Sequence, residues 1–397
     1  AREDVAAIAQ CVLDGLGGLP GGERGVTELE EAVTPNLDAI TPGSALGQID
    51  PVSPGITPGS GPGHLGLFGY DPIKYLIGRG VLSAAGLGLE MKPGDVAARI
   101  NFCTMDGHGV VTDRRAGRIP TETCVRLCAK LNAGIKIAGV EITIKPEREH
   151  RAAALFRGAG LGPHVADTDP QKEGLKPLDP AVTTEDAPSR RTVEVVKDFL
   201  AQAARTLQGE KPANMVLLRG FDAPPKLPQY VDVFKLNAAA VAVYPMYRGI
   251  AKLVGMDVIP VEGESVADEV TAVERIWKDY DFVYLHVKKT DSYGEDGNRA
   301  GKAHVIEEFD AALPRLLALK PDVLLITGDH STPAALKSHS WHPSPLLLRA
   351  ATCRPDGRDR FTERNCARSR GGLGRIHATE LMPLALAHAL RLDKYGA

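Results

Sequence analysis

Three apolar runs in this chain each lead to an acidic residue, and they constrain its fold more than any other feature. Residues 5–13 run into Asp14. Phe282–Val287 leads through Lys288, Lys289 and Thr290 to Asp291. Val323–Thr327 leads through Gly328 to Asp329 and His330. Parallel strands buried on both faces read as continuous apolar runs rather than alternating ones. In an open α/β sheet, ligands sit beyond the carboxyl ends of the strands. Three acidic residues at such ends, far apart in sequence, are therefore expected to converge on one spot. Crowded carboxylates repel unless a cation lies among them. The simplest reading is a divalent-metal site.

A chain of 397 residues exceeds one ordinary core, so two domains are expected. Its 43% apolar and 24% charged content is that of a soluble globular protein. A net charge of −3 gives no field to attract nucleic acid or an anionic membrane, so neither is an expected partner. No apolar run approaches the roughly 18 residues of a membrane span. Residues 1–13 lack the basic start and long apolar stretch of a secretory signal. Six cysteines in so long a chain do not make a disulfide framework. Cys124 and Cys128 share a helical spacing, but no second pair completes a zinc set, and they read as small core residues. A reducing cytoplasm is the expected location.

The segment 41–63 is rich in Gly and Pro and is expected to carry no regular element. A helix start is expected near Pro62, since proline suits the first helical turn. From residue 71 to 235 the character changes. This block holds an arginine cluster, an alternating run at 140–145 and a polar, Pro-bearing stretch at 167–191. Alternation suggests a half-covered antiparallel sheet. Strand and helix signals then resume at 241–243, 247–254, Phe282–Val287, 304–319 and Val323–Thr327. The expected fold is α/β: a doubly wound, mostly parallel sheet in a discontinuous domain of residues 1–70 plus 236–397. A smaller α+β domain, 71–235, is inserted into it. No fixed-period repeat or coiled-coil heptad is visible.

Ser60 lies between Gly59 and Gly61 at the expected helix start, where backbone N–H groups and the helix dipole favour an anion. A serine so placed could be a nucleophile if a metal lowers its hydroxyl pKa. The plainer alternative is a turn or capping serine. Asp329 and His330 are adjacent on one loop and can both reach a metal, or can simply cap a helix and fill a core. His339 adds a second imidazole, with His342 as its competitor. Asp291 and Glu295 are spaced to share a helix face, or form a solvated acidic loop. Arginines recur in the inserted block: Arg114, Arg115, Arg118, Arg151, Arg157 and Arg219. Their planar forks suit phosphate or carboxylate. The run Asp113-Arg114-Arg115-Ala116-Gly117-Arg118 carries three such charges, which repel unless an anion or acidic residues offset them.

Taken together, several segments resemble the cofactor-independent phosphoglycerate mutases, most closely the archaeal type, within the alkaline phosphatase superfamily. They are Leu13-Asp14-Gly15-Leu16-Gly17, Thr57-Pro58-Gly59-Ser60-Gly61-Pro62-Gly63-His64, the Asp113–Arg118 run, Lys288-Lys289-Thr290-Asp291, Thr327-Gly328-Asp329-His330 and Gly371-Gly372-Leu373-Gly374-Arg375. Each is modest alone; their joint order is specific. The resemblance implies an alkaline-phosphatase-like catalytic domain with two divalent metals, manganese foremost, with magnesium, cobalt or zinc as alternatives. Asp14, Ser60, Asp329 and His330 would hold one metal; Asp291, Glu295 and His339 would hold the other. Ser60 would take the phosphoryl group from 3-phosphoglycerate and return it to the other hydroxyl of the same glycerate, giving 2-phosphoglycerate. Arg114, Arg115, Arg118, Arg151 and Arg219, with Lys288, would bind this small-molecule substrate while the inserted domain keeps water out.

Two positions depart from the family pattern. Glu295 stands where the second metal segment usually has histidine, and Gly18 stands where an acidic residue is common. Asp106-Gly107-His108-Gly109 offers His108 as a further substrate contact. A phosphatase or phosphonate hydrolase on the same metal core is the alternative activity, against which the arginine-bearing insert speaks. A metal-impaired phosphometabolite-binding protein is the non-enzymatic alternative, motivated by Glu295. A homo-oligomer is compatible with all three.

Overall fold

The structure, a computed structural model, describes residues 7–396. The chain divides into two compact units: residues up to Leu76 together with those from Leu227 onward, and the intervening Ile77–Lys226. Strands β1 (Ile8–Leu13) and β2 (Ala45–Asp50) precede the intervening unit. That unit holds β3 (Val96–Met105), β4 (Val111–Asp113), β5 (Glu141–Pro146), β6 (Arg151–Arg157) and β7 (Met215–Asp222). After it come β8 (Ala238–Ala242), β9 (Asp257–Ile259), β10 (Phe282–Val287), β11 (Val323–Thr327), β12 (Ser344–Ala350) and β13 (Gly374–His377).

The first unit is built on an eight-stranded sheet in the order β13-β2-β12-β11-β1-β10-β8-β9. The pairs from β11 through β1, β10 and β8 to β9 are parallel, as is β13 with β2; β12 runs antiparallel to both its neighbours. Every residue of β1, β8, β10 and β11 is buried, as strands covered on both faces require. Leu13 pairs with Val287, and Val12 with Thr327. The segments carrying Asp14, Asp291 and Asp329 thus leave the sheet side by side at the carboxyl ends of three adjacent central strands. This is the mixed, mostly parallel α/β sheet expected from the apolar runs.

Helices cover the sheet through regularly spaced apolar faces. Val266–Ile276 buries Val266, Val270, Val273 and Ile276, and a capping box between Ser265 and Asp268 starts it; such a cap contributes about 1 kcal/mol. Arg299–Ala318 opens on Asn298, whose side chain accepts the Gly301 N–H, and it buries Ile306, Phe309, Leu313 and Leu316. The same face buries Lys302, a polar residue returned to below.

Several local expectations need correction. Val5 and Ala6, counted in the first apolar run, lie outside the described residues, and β1 starts at Ile8. Segment 41–63 does contain a regular element, β2, seated between β12 and β13. Its six residues are hidden by Gly and Pro on both sides, which end the strand without preventing it. The helix expected near Pro62 starts at Ser60, because Gly59 takes the extended N-cap conformation (φ −80°, ψ 164°). The strand expected at 241–243 is Ala238–Ala242; its alanines lack the β-branched signal that would have marked its start.

The second unit has a separate five-stranded sheet, antiparallel throughout, with β3 between β6 and β7. Its core joins β3, β6 and β7 to the helices Thr121–Gly134 and Ala187–Thr206 through Phe102, Leu127, Phe156, Val196 and Phe199. Cys124 and Cys128 are buried in this core as free thiols, with their sulfurs 4.0 Å apart. Among the described residues, no helix is long and apolar enough to cross a membrane.

Candidate metal centre and nucleophile

Asp14 follows β1, and Asp329 and His330 follow β11; all three are fully buried, and one ligand atom from each lies within 4.8 Å of the others. A second group obeys the same limit: Asp291, His330 and His339. His330 belongs to both, and its ring stacks on that of His339 with centroids 3.7 Å apart.

The polar accounting fits a cation. Among the described residues, Asp14 Oδ1 and Asp329 Oδ2 are buried without a hydrogen-bond donor. Their nearest nitrogens include His330 Nε2, 3.3 Å from Asp14 Oδ1 and 3.2 Å from Asp329 Oδ2. Buried carboxylate oxygens left so are costly unless a positive charge meets them. His339 Nδ1 lies 2.8 Å from the Pro58 carbonyl, which can only accept, so Nδ1 carries the hydrogen and Nε2 faces the carboxylates. Holding the far nitrogen in this way is how metal-binding imidazoles are oriented. Carboxylate oxygens with imidazole nitrogens suit divalent first-row cations. These residues therefore fit the implied metals.

Burial alone would lower the His330 pKa, but the Asp329 and Asp14 carboxylates push it up to about 9. Burial likewise opposes ionisation of Asp14, yet Lys288 and the His286 and His330 imidazoles hold it well below the usual carboxylate range. Lys288 Nζ donates to Asp291 Oδ2 at 2.6 Å and Asp14 Oδ2 at 3.3 Å, spanning the two groups. These carboxylates raise its pKa despite burial.

Ser60 opens the helix Ser60–Leu67 and places Oγ 3.4 Å from His330 Nε2. The helix lies directly on the 329 loop: a Cβ on Gly63 would come within 2.4 Å of the Asp329 carbonyl oxygen. The Ser60 hydroxyl thus stands at a helix N-terminus, beside buried carboxylates and imidazoles.

Residues 42–214 match the family described as 2,3-bisphosphoglycerate-independent phosphoglycerate mutase. Over its whole length the chain is 53% identical to a probable mutase of that kind from Aquifex aeolicus, covering 98% of it. The chain belongs to that family. It is likewise 53% identical to a probable mutase from Thermotoga maritima, again over its whole length and covering 97% of the relative. Two solved structures are similar throughout. A Pyrococcus horikoshii protein has TM-score 0.84 and 30% identity over 99% of this chain and 100% of its own. The cofactor-independent phosphoglycerate mutase from Thermoplasma acidophilum has TM-score 0.76 and 31% identity over 97% and 100%. The family is one of isomerases, and the archaeal-type resemblance read from the motifs holds.

Other residues of the resemblance fall in varied places. Glu295 ends the helix Lys289–Glu295 at the rim, its Oε1 3.6 Å from His339 Nε2, outside both groups of three. Burial and Asp291 raise its pKa. His342 stacks on Trp341 and contacts Ser340 Oγ, apart from both groups. In the second unit, Arg114 forks onto buried Asp169 at 2.8 and 2.7 Å. Arg219 approaches Asp167 and Asp169, at 3.6 Å each. Arg115 and Arg118 are exposed beyond β4, and half-buried Arg151 begins β6. Arg157 forks onto Asp95, and His108 sits exposed on a turn.

Sequence reasoning missed a set of supporting residues. His286, inside β10, donates Nε2–H to Asp14 Oδ2 at 2.9 Å and stacks on Tyr247. Burial keeps it neutral, lowering its pKa against the pull of Asp14. His64 places Nδ1 2.9 Å from the Ser60 carbonyl and 3.2 Å from Asp329 Oδ2. The spacing of Ser60 and His64 was the available signal, since residues four apart meet on a helix. Tyr247 OH accepts from Lys288 at 3.0 Å. Lys302 Nζ donates to the carbonyls of Gly15, Gly17 and Thr332 at 2.8, 3.0 and 2.9 Å.

Proposed function

We propose that this chain interconverts 3-phosphoglycerate and 2-phosphoglycerate through a phosphoserine on Ser60, without 2,3-bisphosphoglycerate. The observation that carries the proposal is the Ser60 hydroxyl at a helix N-terminus, 3.4 Å from an imidazole shared by both ligand groups. Asp14, Ser60, Asp329 and His330 would hold one divalent cation, and Asp291, Glu295 and His339 the other. When bound, these cations, manganese foremost among manganese, magnesium, cobalt and zinc, supply Lewis-acid polarisation of the phosphoryl oxygens and a lowered hydroxyl pKa.

The chain's own groups then divide the work. Ser60 Oγ forms the bond to phosphorus as the glycerate oxygen leaves. The serine proton balances the charge on the departing alkoxide, so the exchange is neutral. Lys288 offers a fixed positive charge to the phosphoryl oxygens, and the helix N-terminus adds partial charge of the same sign. The same glycerate returns through its other hydroxyl and restores Ser60. Arg114, Arg115, Arg118, Arg151 and Arg219 would supply guanidinium groups that suit the phosphate and carboxylate of the glycerate.

The test is conversion of 3-phosphoglycerate with manganese and no bisphosphoglycerate, following inorganic phosphate in parallel. Isomerisation with little free phosphate is expected. Ser60→Ala should lose turnover by roughly 10³-fold or more while still binding manganese. Retained turnover in that variant would sink the phosphoserine route. Free phosphate without isomerisation would move the chain to the hydrolases.

A further inference from the structure

We infer that Thr332 is a positioning residue that ties the two ligand groups together, its one hydroxyl fixing the His330 tautomer and the Asp291 rotamer at once. The inference rests on the metal-centred reading above.

Thr332 is fully buried. Its Oγ1 lies 2.6 Å from Asp291 Oδ1 and 2.9 Å from His330 Nδ1. A carboxylate oxygen can only accept, so the single hydroxyl proton points to Asp291. Oγ1 must then accept from His330, and Nδ1 is the nitrogen that carries hydrogen. The Nε2 side faces Asp14, Asp329 and Ser60. With the other tautomer, two lone pairs would oppose each other across 2.9 Å. One proton direction thus orients a ligand from each group.

The backbone of Thr332 is pinned as firmly. Its N–H donates to the Gly15 and Gly17 carbonyls at 3.1 Å each, and its carbonyl accepts from Lys302 Nζ at 2.9 Å. Position 15 has no room for a side chain, since a Cβ there would meet Thr332 Oγ1 at 2.4 Å. The hydroxyl is therefore held where it stands, between a β11 loop residue and a residue of the helix Lys289–Glu295. A valine fills the same volume without either hydrogen bond, and a serine keeps both.

The experiment uses the full chain, stripped of metal with a chelator, as wild type, Thr332→Val and Thr332→Ser. Nitrogen-15 histidine NMR on the stripped protein, taken at a pH high enough to leave the His330 ring neutral, reads its tautomer, and manganese titration calorimetry reads affinity and stoichiometry. In the wild type, a protected Nδ1–H is expected on His330. Thr332→Val should lose that signal and bind manganese about 10- to 100-fold more weakly; Thr332→Ser should retain both. An Nε2–H tautomer with bare Nδ1 in the wild type overturns the inference, and this holds even if the valine variant does not fold. Manganese affinity in Thr332→Val within about threefold of wild type would also overturn it. Wild type that binds no manganese would instead remove the two-metal reading, leaving the tautomer to be judged alone.

Discussion

Replacing Lys302 with methionine should cost far more than its position on a helix flank suggests. The ammonium spends all three N–H groups on the Gly15, Gly17 and Thr332 carbonyls, at 2.8 to 3.0 Å. Hydrogen bonds to a charged group are worth about 1.5–3 kcal/mol each. Against them stands the desolvation of a buried ammonium, several kcal/mol, and burial accordingly lowers its pKa. The intact arrangement roughly breaks even, but truncation does not. Glu28 and Glu363 are the acidic groups that act most strongly on its charge. Among the described residues Glu28 Oε2 is already buried without a donor, and burial raises Glu363 to about 6 even against the pull of the Lys302 charge. Methionine takes the positive charge away from both carboxyls, removes the Lys302 donor from the Thr332 carbonyl and leaves the Gly15 and Gly17 carbonyls to share the Thr332 N–H, a loss of about 3–5 kcal/mol. The loss should depend on pH. Without Lys302, the folded Glu363 pKa rises further above its unfolded value, so stability falls as pH rises through that window. Urea denaturation of metal-stripped wild type and Lys302→Met at pH 5 and pH 8 is the assay, and the gap should be wider at pH 8. A gap below about 1 kcal/mol at pH 8, or one equal at both pH values, would refute the reasoning.

Two further outcomes are expected. Burial pushes Glu269 up to about 8, against an ordinary value of 4.5, so the folded chain keeps a proton that the unfolded chain releases. Stability should therefore decline as pH rises between those values, by at most about 5 kcal/mol at ~1.4 kcal/mol per pH unit. Glu269→Gln should flatten the decline of the urea midpoint from pH 5 to pH 9, and parallel slopes would count against it. At the rim, Glu295→His should shift metal preference away from manganese toward zinc or cobalt while activity persists. Competition titration of the metals checks this, and an unchanged order would mean that residue 295 is not a ligand.

The strands that carry chemistry were the legible part of the sequence. Phe282–Val287 and Val323–Thr327 stand out because a strand buried on both faces reads as a nearly continuous apolar run, and their bounds match β10 and β11. β2 was illegible for the opposite reason: its flanking glycines and prolines punctuate so strongly that they mask the six residues between them. The structure gathers Asp14, Asp329 and His330, and Asp291 and His339 with the same His330. Residues that brace them left weaker traces. His286 sits mid-strand, where a lone imidazole reads as filling, and its link to Asp14 depends on the neighbouring strand. Thr332 and Lys302 act through a hydroxyl and three carbonyls, groups whose partners are set by tertiary contact alone. No pattern along the chain announces them.

The place of β1 in its sheet has a consequence for synthesis. It lies between β10 and β11, and Ile8 pairs with Phe282 and Val323. About 270 residues or more must follow it out of the ribosome before either neighbour exists, roughly 15–60 s at usual elongation rates. During that interval a mostly apolar hexapeptide with two unpaired edges is exposed, the kind of segment that invites wrong pairing. The second unit, residues 77–226, has its own sheet and core and is complete well before the first sheet can close. The nascent chain thus carries a finished module between two halves of an unfinished one, and Asp14 waits longest of all the acidic residues at these strand ends for the strands that will hold it.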